Sequence, residues 1–402
     1  MNIIIKAACR TFQTVLRLAI PILPYRSPKV LSRVEDIPGV LKEQKIHRVM
    51  IVTDGFLHLS GMLEPLKKAL SEAGIGYTVY DETVPNPTVW NVEIARERYL
   101  AENCQGLIGF GGGSAIDCAK AVGARIARPR KSIPQMRGIL KVMRRIPFLI
   151  AVPTTAGTGS ETTLATVITD DKADHKFPVN DFPLIPRVAV LDPEMTRNLP
   201  AHLTATTGMD ALTHAIEAYI GRSTTKDTRA DALEAAELIS KNLENAYRDG
   251  NNMEARANML RAAFLAGRAF SKSYVGYCHA VAHSLGGKYH IPHGLANAVL
   301  LPYVLEAYGE TAYKKEKDIA VAMGIADSST PEETAAEALI ACIRKMNADM
   351  GIPTKLPGIR TEDIPQLAAF AHREANPLYP VPLLMDAGEL ERFYYDVMEE
   401  AK

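Results

Sequence analysis

The 402 residues balance 46 Lys and Arg against 46 Asp and Glu, and 47% of them are hydrophobic against 23% charged. That size and composition suit about two globular domains with sizeable cores, which excludes disordered, collagen-like and disulfide-scaffold classes. A formal net charge of zero gives no whole-protein field to draw the chain to nucleic acid or an anionic surface, so a small-molecule enzyme fits best.

In chain order, residues 3–23 form an apolar stretch interrupted by Lys6, Arg10 and Arg17 and broken by Pro21 and Pro24, so no transmembrane segment is predicted there. An amphipathic helix packed on the body is the preferred reading over a membrane-surface anchor. Residues 47–123 then alternate: HRVMIVT reads as a strand, GMLEPLKKALSEAG as a helix closed by Gly74, YTVYDE as a strand, NVEIARERYLAEN as a helix and GLIGF as a strand. Such βαβ units imply a mostly parallel sheet covered on both faces, which binds ligands at the carboxyl ends of its strands. The basic segment 125–145 lacks interleaved aromatics and reads as a solvated surface, followed by the strands PFLIAVP, ATVITD and RVAVLDP and a turn-rich stretch at 192–200. From Ala201 onward the patterns are amphipathic and helical, as in DALTHAIEAYI. The predicted organisation is an N-terminal extension (1–27), an α/β domain (28–199) and an all-helical domain (200–402). The five cysteines, Cys9, Cys104, Cys118, Cys278 and Cys342, are scattered and never form a CxxC pair, which argues for a reducing, cytoplasmic setting without a disulfide framework.

Gly111, Gly112, Gly113 and Ser114 stand between the strand GLIGF and a helix. Backbone N–H groups there can approach phosphate oxygens, and the helix N-terminus adds partial positive charge. Ser114 and Asp117 also read as a capping pair that needs no ligand. Asp54 ends the first strand of this region, where a carboxylate can accept bonds from a ribose and repel an added 2′-phosphate, favouring NAD over NADP. The alternative is an ordinary Asp-Gly turn. Pro153, Thr154, Thr155, Ala156, Gly157, Thr158, Gly159 and Ser160 offer hydroxyls after another strand end.

Asp210 and His214 sit four apart in one helical pattern, His279 and His283 repeat that spacing, and His293 follows in a PHG turn. Four-residue spacing puts paired side chains on one helix face. Two such pairs in a chain with 10 histidines point to a divalent ion. One carboxylate with three neutral imidazoles leaves such an ion net positive, a Lewis acid, and suits Fe2+, Zn2+, Co2+ or Ni2+.

These motifs occur together with VPNPT, GFGGGSAIDCAKAVG, VPTTAGTGSE, GMDALTHAIEAY and HAVAHSLGGKYHIPHGLANAVLLP. From about Pro28 onward the chain resembles the iron-containing (group III) alcohol dehydrogenase family. The resemblance implies a dinucleotide-binding α/β domain and a helical metal domain of dehydroquinate synthase-like architecture, with the active site in the cleft between them. It implies that Asp210, His214, His279 and His293 hold the metal, Fe2+ or alternatively Zn2+, and that His283 lines the nicotinamide pocket as a proton relay or as packing. It implies that Asp54, Asn86, Gly112, Gly113, Ser114, Thr154, Thr155, Thr158, Thr163 and Lys176 contact the coenzyme. The expected activity is NAD-dependent hydride transfer between a small primary alcohol or diol and nicotinamide, or the reverse aldehyde reduction, by an enzyme that is at least a dimer. Glycerol dehydrogenases and maleylacetate reductases are alternatives within the superfamily, and a lyase of the dehydroquinate synthase type is a further one. Neither nucleic acid nor a membrane span enters the expected partners.

Overall fold

Short apolar runs separated by helical patterns become the parallel sheet that the periodicity predicts. The computed structural model describes residues 1–171 and 175–399 and divides into two compact units, Pro24–Leu199 and Met1–Leu23 with Pro200–Lys402. Helix α1 (Ile3–Ala19) belongs to the second of these.

The first unit runs β1 (Lys29–Leu31), α2 (Ile37–Glu43), β2 (Arg48–Val52), α3 (Gly55–Leu59), α4 (Glu64–Glu72), β3 (Gly76–Tyr80), α5 (Val89–Ala101), β4 (Gly106–Gly111), α6 (Gly113–Ala127), β5 (Gly138–Ile139), β6 (Phe148–Pro153), β7 (Ala165–Asp170), β8 (His175–Asn180) and β9 (Val188–Val190). Six strands form one sheet in the order β1-β9-β6-β4-β2-β3, with every pairing parallel. Alternation along β2 sends Val49 and Ile51 to one face and Met50 and Val52 to the other, so two apolar layers form. Leu41, Leu66 and Leu70 cover the first layer, and Val92, Ala119 and Val122 cover the second. The chain passes from β2 to β3 on one side and returns to β4 on the other. Strand order therefore reverses between β2 and β4, which opens a crevice at their carboxyl ends.

Two sequence expectations change here. A second, three-stranded sheet, β5-β8-β7, was not foreseen, and its β7–β8 pair is antiparallel. Residues 125–145 are not simply a solvated face. Arg125 is buried, paired with Glu93, and donates to the carbonyls of Arg128 and Lys131, while Ile133, Met136 and Val142 join the core. A guanidinium with several donors can close a turn from the inside, and composition alone does not reveal that.

The helical unit continues with α7 (Ala201–Ile220), α8 (Lys226–Arg248), α9 (Met253–Ser273), α10 (Tyr277–Tyr289), α11 (His293–Tyr308), α12 (Tyr313–Ala322), α13 (Glu332–Asp349), α14 (Ile364–Ala375) and α15 (Ala387–Val397). Helix α7 is buried along most of its length and packs against α8, α9 and α11. A helix apolar on all sides belongs in a core, so its polar residues stand out.

Glu316 on α12 is fully buried, and both its carboxylate oxygens lack a hydrogen-bond partner among the described residues. Burial pushes its pKa from an ordinary 4.5 up to about 8. Between those values the folded chain binds the proton and the unfolded chain does not, so stability present below pH 4.5 is lost as pH rises toward about 8. Glu316→Met is therefore expected to exceed the parent in stability by a few kcal/mol at alkaline pH, at about 1.4 kcal/mol per pKa unit, with the gap closing in acid. Urea unfolding across that range measures it, and a gap independent of pH would contradict it.

Candidate metal centre and coenzyme cradle

Helix α7 carries Asp210, His214 and Glu217 at spacings of four and three, so all three project from one face into the packed interior. Helix α10 contributes His279, and His293 opens α11. One ligand atom from each of Asp210, His214, His279 and His293 lies within 4.8 Å of all the others. Among these, His279 Nε2 is 3.8 Å and His293 Nε2 3.4 Å from Asp210 Oδ1. Asp210 and His279 are almost wholly buried, whereas the His293 side chain is 38% exposed, so the cluster opens on that flank.

Partners outside the cluster fix these rings. His279 Nδ1 lies 2.6 Å from Glu217 Oε2, and Glu217 already accepts the N–H groups of Gly276 and Cys278, both at 2.8 Å. A carboxylate holding two N–H groups takes a third from Nδ1–H, which leaves the Nε2 lone pair of His279 facing the cluster. Position 276 admits no side chain, because a Cβ there would meet Glu217 Oε1 at 2.6 Å. His214 stacks on Phe270 with ring centroids 4.1 Å apart. Asn297, one turn beyond His293, donates to Asp210 Oδ1 at 2.7 Å.

Burial, reinforced by repulsion from His214, His293 and His283, holds His279 well below the usual imidazole range. Its ring is therefore neutral and able to ligate. His279 Nε2 is buried with no hydrogen-bond partner among the described residues. Buried polar atoms are ordinarily satisfied, and a donor set of one carboxylate and three imidazoles suits a divalent cation, so the residues present fit a metal.

His283 stands beside this cluster: its ring stacks on His293 with centroids 5.1 Å apart, and Nδ1 meets Glu374 Oε1 at 2.6 Å. The Tyr379 hydroxyl donates to the same oxygen at 2.8 Å. Sequence reasoning missed Glu217, Asn297 and Glu374. The first two had a signal in the helical spacings Asp210-His214-Glu217 and His293-Asn297, whereas Glu374 arrives from a distant helix.

In the α/β unit the predicted coenzyme residues gather at the strand ends. Asp54 follows β2 and caps α3, accepting from Leu57 N–H at 2.9 Å. Ser114 Oγ accepts from Asn86 N–H at 3.3 Å, and Asn86 holds a left-handed backbone, φ 59°. Gly112 precedes α6 with no side chain capping it, and a Cβ on Gly113 would meet Thr158 Cγ2 at 2.9 Å. Thr155 lies beside Gly112, and Thr154 N–H donates to Gly111 O at 3.0 Å. Lys176 pairs in register with Thr169, whose hydroxyl donates to Asn86 O, and burial pushes its pKa below the usual lysine value. An uncapped helix N-terminus ringed by small residues and hydroxyls suits a pyrophosphate.

The Ser114 and Asp117 capping pair does not form. The helix starts at Gly113, so Ser114 falls inside its first turn. Asp117 instead accepts from Ser160 Oγ at 2.6 Å and from Val167 N–H at 2.8 Å. One turn on, Lys120 is fully buried and its Nζ reaches Ser160 Oγ at 2.9 Å, Thr163 Oγ1 at 2.9 Å and Ala165 O at 2.7 Å. The hydroxyl of Thr163 is thus engaged with this lysine.

Residues 31–193 match the family described as iron-containing alcohol dehydrogenase, and residues 204–394 match its C-terminal domain. The chain is 39% identical to a 1,3-propanediol dehydrogenase of Citrobacter freundii over 361 residues, covering 89% of this chain and 92% of that one. It is 37% identical to an NAD-dependent methanol dehydrogenase of Bacillus methanolicus over 343 residues, covering 85% and 90% of the two chains. A solved 1,3-propanediol oxidoreductase superposes with a TM-score of 0.89 at 35% identity, over 92% of this chain and 98% of that one. With both units matched in order, the chain belongs to the iron-containing alcohol dehydrogenase family and is an oxidoreductase of that class.

Proposed function

We propose that the chain transfers hydride between a small primary alcohol or diol and NAD, using one divalent ion, Fe2+ or Zn2+, held by Asp210, His214, His279 and His293. The observation that carries this reading is the convergence of those four ligand atoms within 4.8 Å of one another. When bound, such an ion supplies Lewis-acid polarisation of the substrate oxygen. Glu217 and Asn297 hold His279 and Asp210 in their ligating orientations. His283, Glu374 and Tyr379 form a linked set that accepts the hydroxyl proton at His283 and passes it outward. Gly112, Gly113, Ser114 and the threonines 154, 155 and 158 cradle the pyrophosphate, with Asn86 and Lys176 alongside, while Thr163 supports the loop through Lys120. Five free cysteines suit a reducing cytoplasm.

The test is absorbance of NADH on mixing metal-loaded protein with NAD and a panel of alcohols, with NADP in parallel. Net NADH formation supports the reading and separates it from lyase chemistry, in which none accumulates. No alcohol-dependent NADH and no aldehyde-dependent NADH loss would contradict it. Asp54→Ser keeps an N-cap acceptor for Leu57 while removing the charge. It is expected to relax the preference for NAD over NADP by roughly tenfold or more, about 1.4 kcal/mol of lost repulsion. An unchanged preference would remove Asp54 from that role.

A further inference from the structure

Strands β1, β9 and β6 lie side by side and parallel, so their first residues, Lys29, Val188 and Phe148, come together at the amino end of the sheet. With Glu43, Arg145 and Arg187 they line a cavity of about 250 Å³. Arg187 is fixed at its rim by both neighbours: its N–H donates to Leu149 O at 2.8 Å, and its carbonyl accepts from Lys29 N–H at 2.9 Å. Arg26 anchors close by, donating to the carbonyls of Ile185 and, at 3.2 Å, of Pro183, while its Nε is buried with no hydrogen-bond partner among the described residues.

These arginines face one another rather than acids. Burial and then repulsion from Arg145 hold Arg187 below the usual arginine value, and Arg26 is pushed down to about 10 by burial and then by Arg187 and Arg145. No carboxylate acts on either of them. Glu43, the acid at the cavity, pairs with Lys29 at 3.8 Å, so the three guanidiniums are left uncompensated among the described residues. Like charges gathered in this way repel, and the arrangement becomes favourable when an anion enters.

We propose that this cavity binds a small phosphate dianion, free or as the monoester of a short carbon chain, gripped by Arg145 and Arg187 with Arg26 adding charge. Guanidinium forks match phosphate oxygens bidentately, and three cations favour a doubly charged group over a carboxylate. The cavity is smaller than the roughly 300–1,000 Å³ of pockets that take drug-sized ligands, so a dinucleotide does not fit. Phe148 and Val188 offer an apolar wall to a short carbon chain. The site is separate from the coenzyme cradle, because Thr154 follows the opposite end of β6, six residues or about 20 Å away. It stands whether or not the metal reading holds.

The test is the thermal unfolding midpoint of the full chain in sodium chloride, in inorganic phosphate and in glycerol 3-phosphate at equal ionic strength. About 20 mM phosphate is expected to raise the midpoint of the parent by roughly 2–4 °C over chloride. Arg145→Gln combined with Arg187→Gln is expected to be at least as stable as the parent in chloride, because repulsion is relieved, and to lose the phosphate-specific rise. That comparison also removes the general effect of phosphate as an excluded salt and any binding at the coenzyme cradle. Arg145→Gln alone, at an exposed position, is expected to weaken phosphate binding about tenfold by titration calorimetry. Glycerol 3-phosphate binding tighter than phosphate would assign the site to a monoester, and weaker binding to the free ion. A parent without a phosphate-specific rise, or a double variant that keeps it, would overturn the proposal.

Discussion

Replacing His279 by alanine is expected to abolish metal uptake and to lower alcohol oxidation by about 10³-fold or more, the several kcal/mol that a Lewis acid contributes. The ring sits at the centre of the cluster, with one nitrogen on Glu217 and the other 3.8 Å from Asp210. Its loss opens one side of the donor set and leaves Glu217 buried without the ring that it orients. Glu217→Gln should produce a milder form of the same defect, about 10- to 100-fold in metal affinity, because the amide still fills the space but no longer fixes the tautomer. Metal analysis of both variants after purification under nitrogen, alongside NADH formation, separates the two. Full metal stoichiometry in His279→Ala would contradict the ligand assignment.

Lys120→Met carries the largest expected effect on stability. The ammonium is fully buried among Ser160, Thr163 and Ala165, and Asp117 bonds the same Ser160 hydroxyl. Burial pushes the lysine pKa down to about 8, with Asp117 and Glu161 pulling against that. Removing one member of a buried charge network strands the others, at a cost of about 3–5 kcal/mol. The loop so held also carries Thr154, Thr155 and Thr158, so the variant should raise KM for the coenzyme more than it lowers kcat. Adding Asp117→Asn should recover part of the lost stability, because the two charges share partners. Urea unfolding of the single and double variants provides the cycle, and a cost below about 1 kcal/mol for Lys120→Met would contradict a network role.

What could be read from the sequence follows from how local each signal is. Asp210 and His214 stand one helical turn apart, and that period survives into the structure because α7 runs unbroken through both positions and is buried there. β4, β6 and the Val49–Val52 part of β2 are uninterrupted apolar runs, as a doubly covered parallel sheet requires. The second sheet was hidden because β5 has two residues and β8 contains Pro178, which demotes a run in any reading by pattern. Lys120 carries no local signal, since its partners lie 40 to 45 positions away. Glu374 reaches His283 from 91 positions away, and no local pattern announces such a pairing. The amphipathic character of α1 was legible, but which side faces inward was not. That depended on the carbonyls of residues 377–382, which claim Arg10 and Gln13.

Anomalous X-ray scattering from crystals of the holoenzyme, collected across the iron and zinc absorption edges, addresses the ligand assignment most directly. A single peak is expected among Asp210, His214, His279 and His293, within ligand distance of each. Crystals of fully active protein with no anomalous peak at that point, or with the metal held by other side chains, would contradict it.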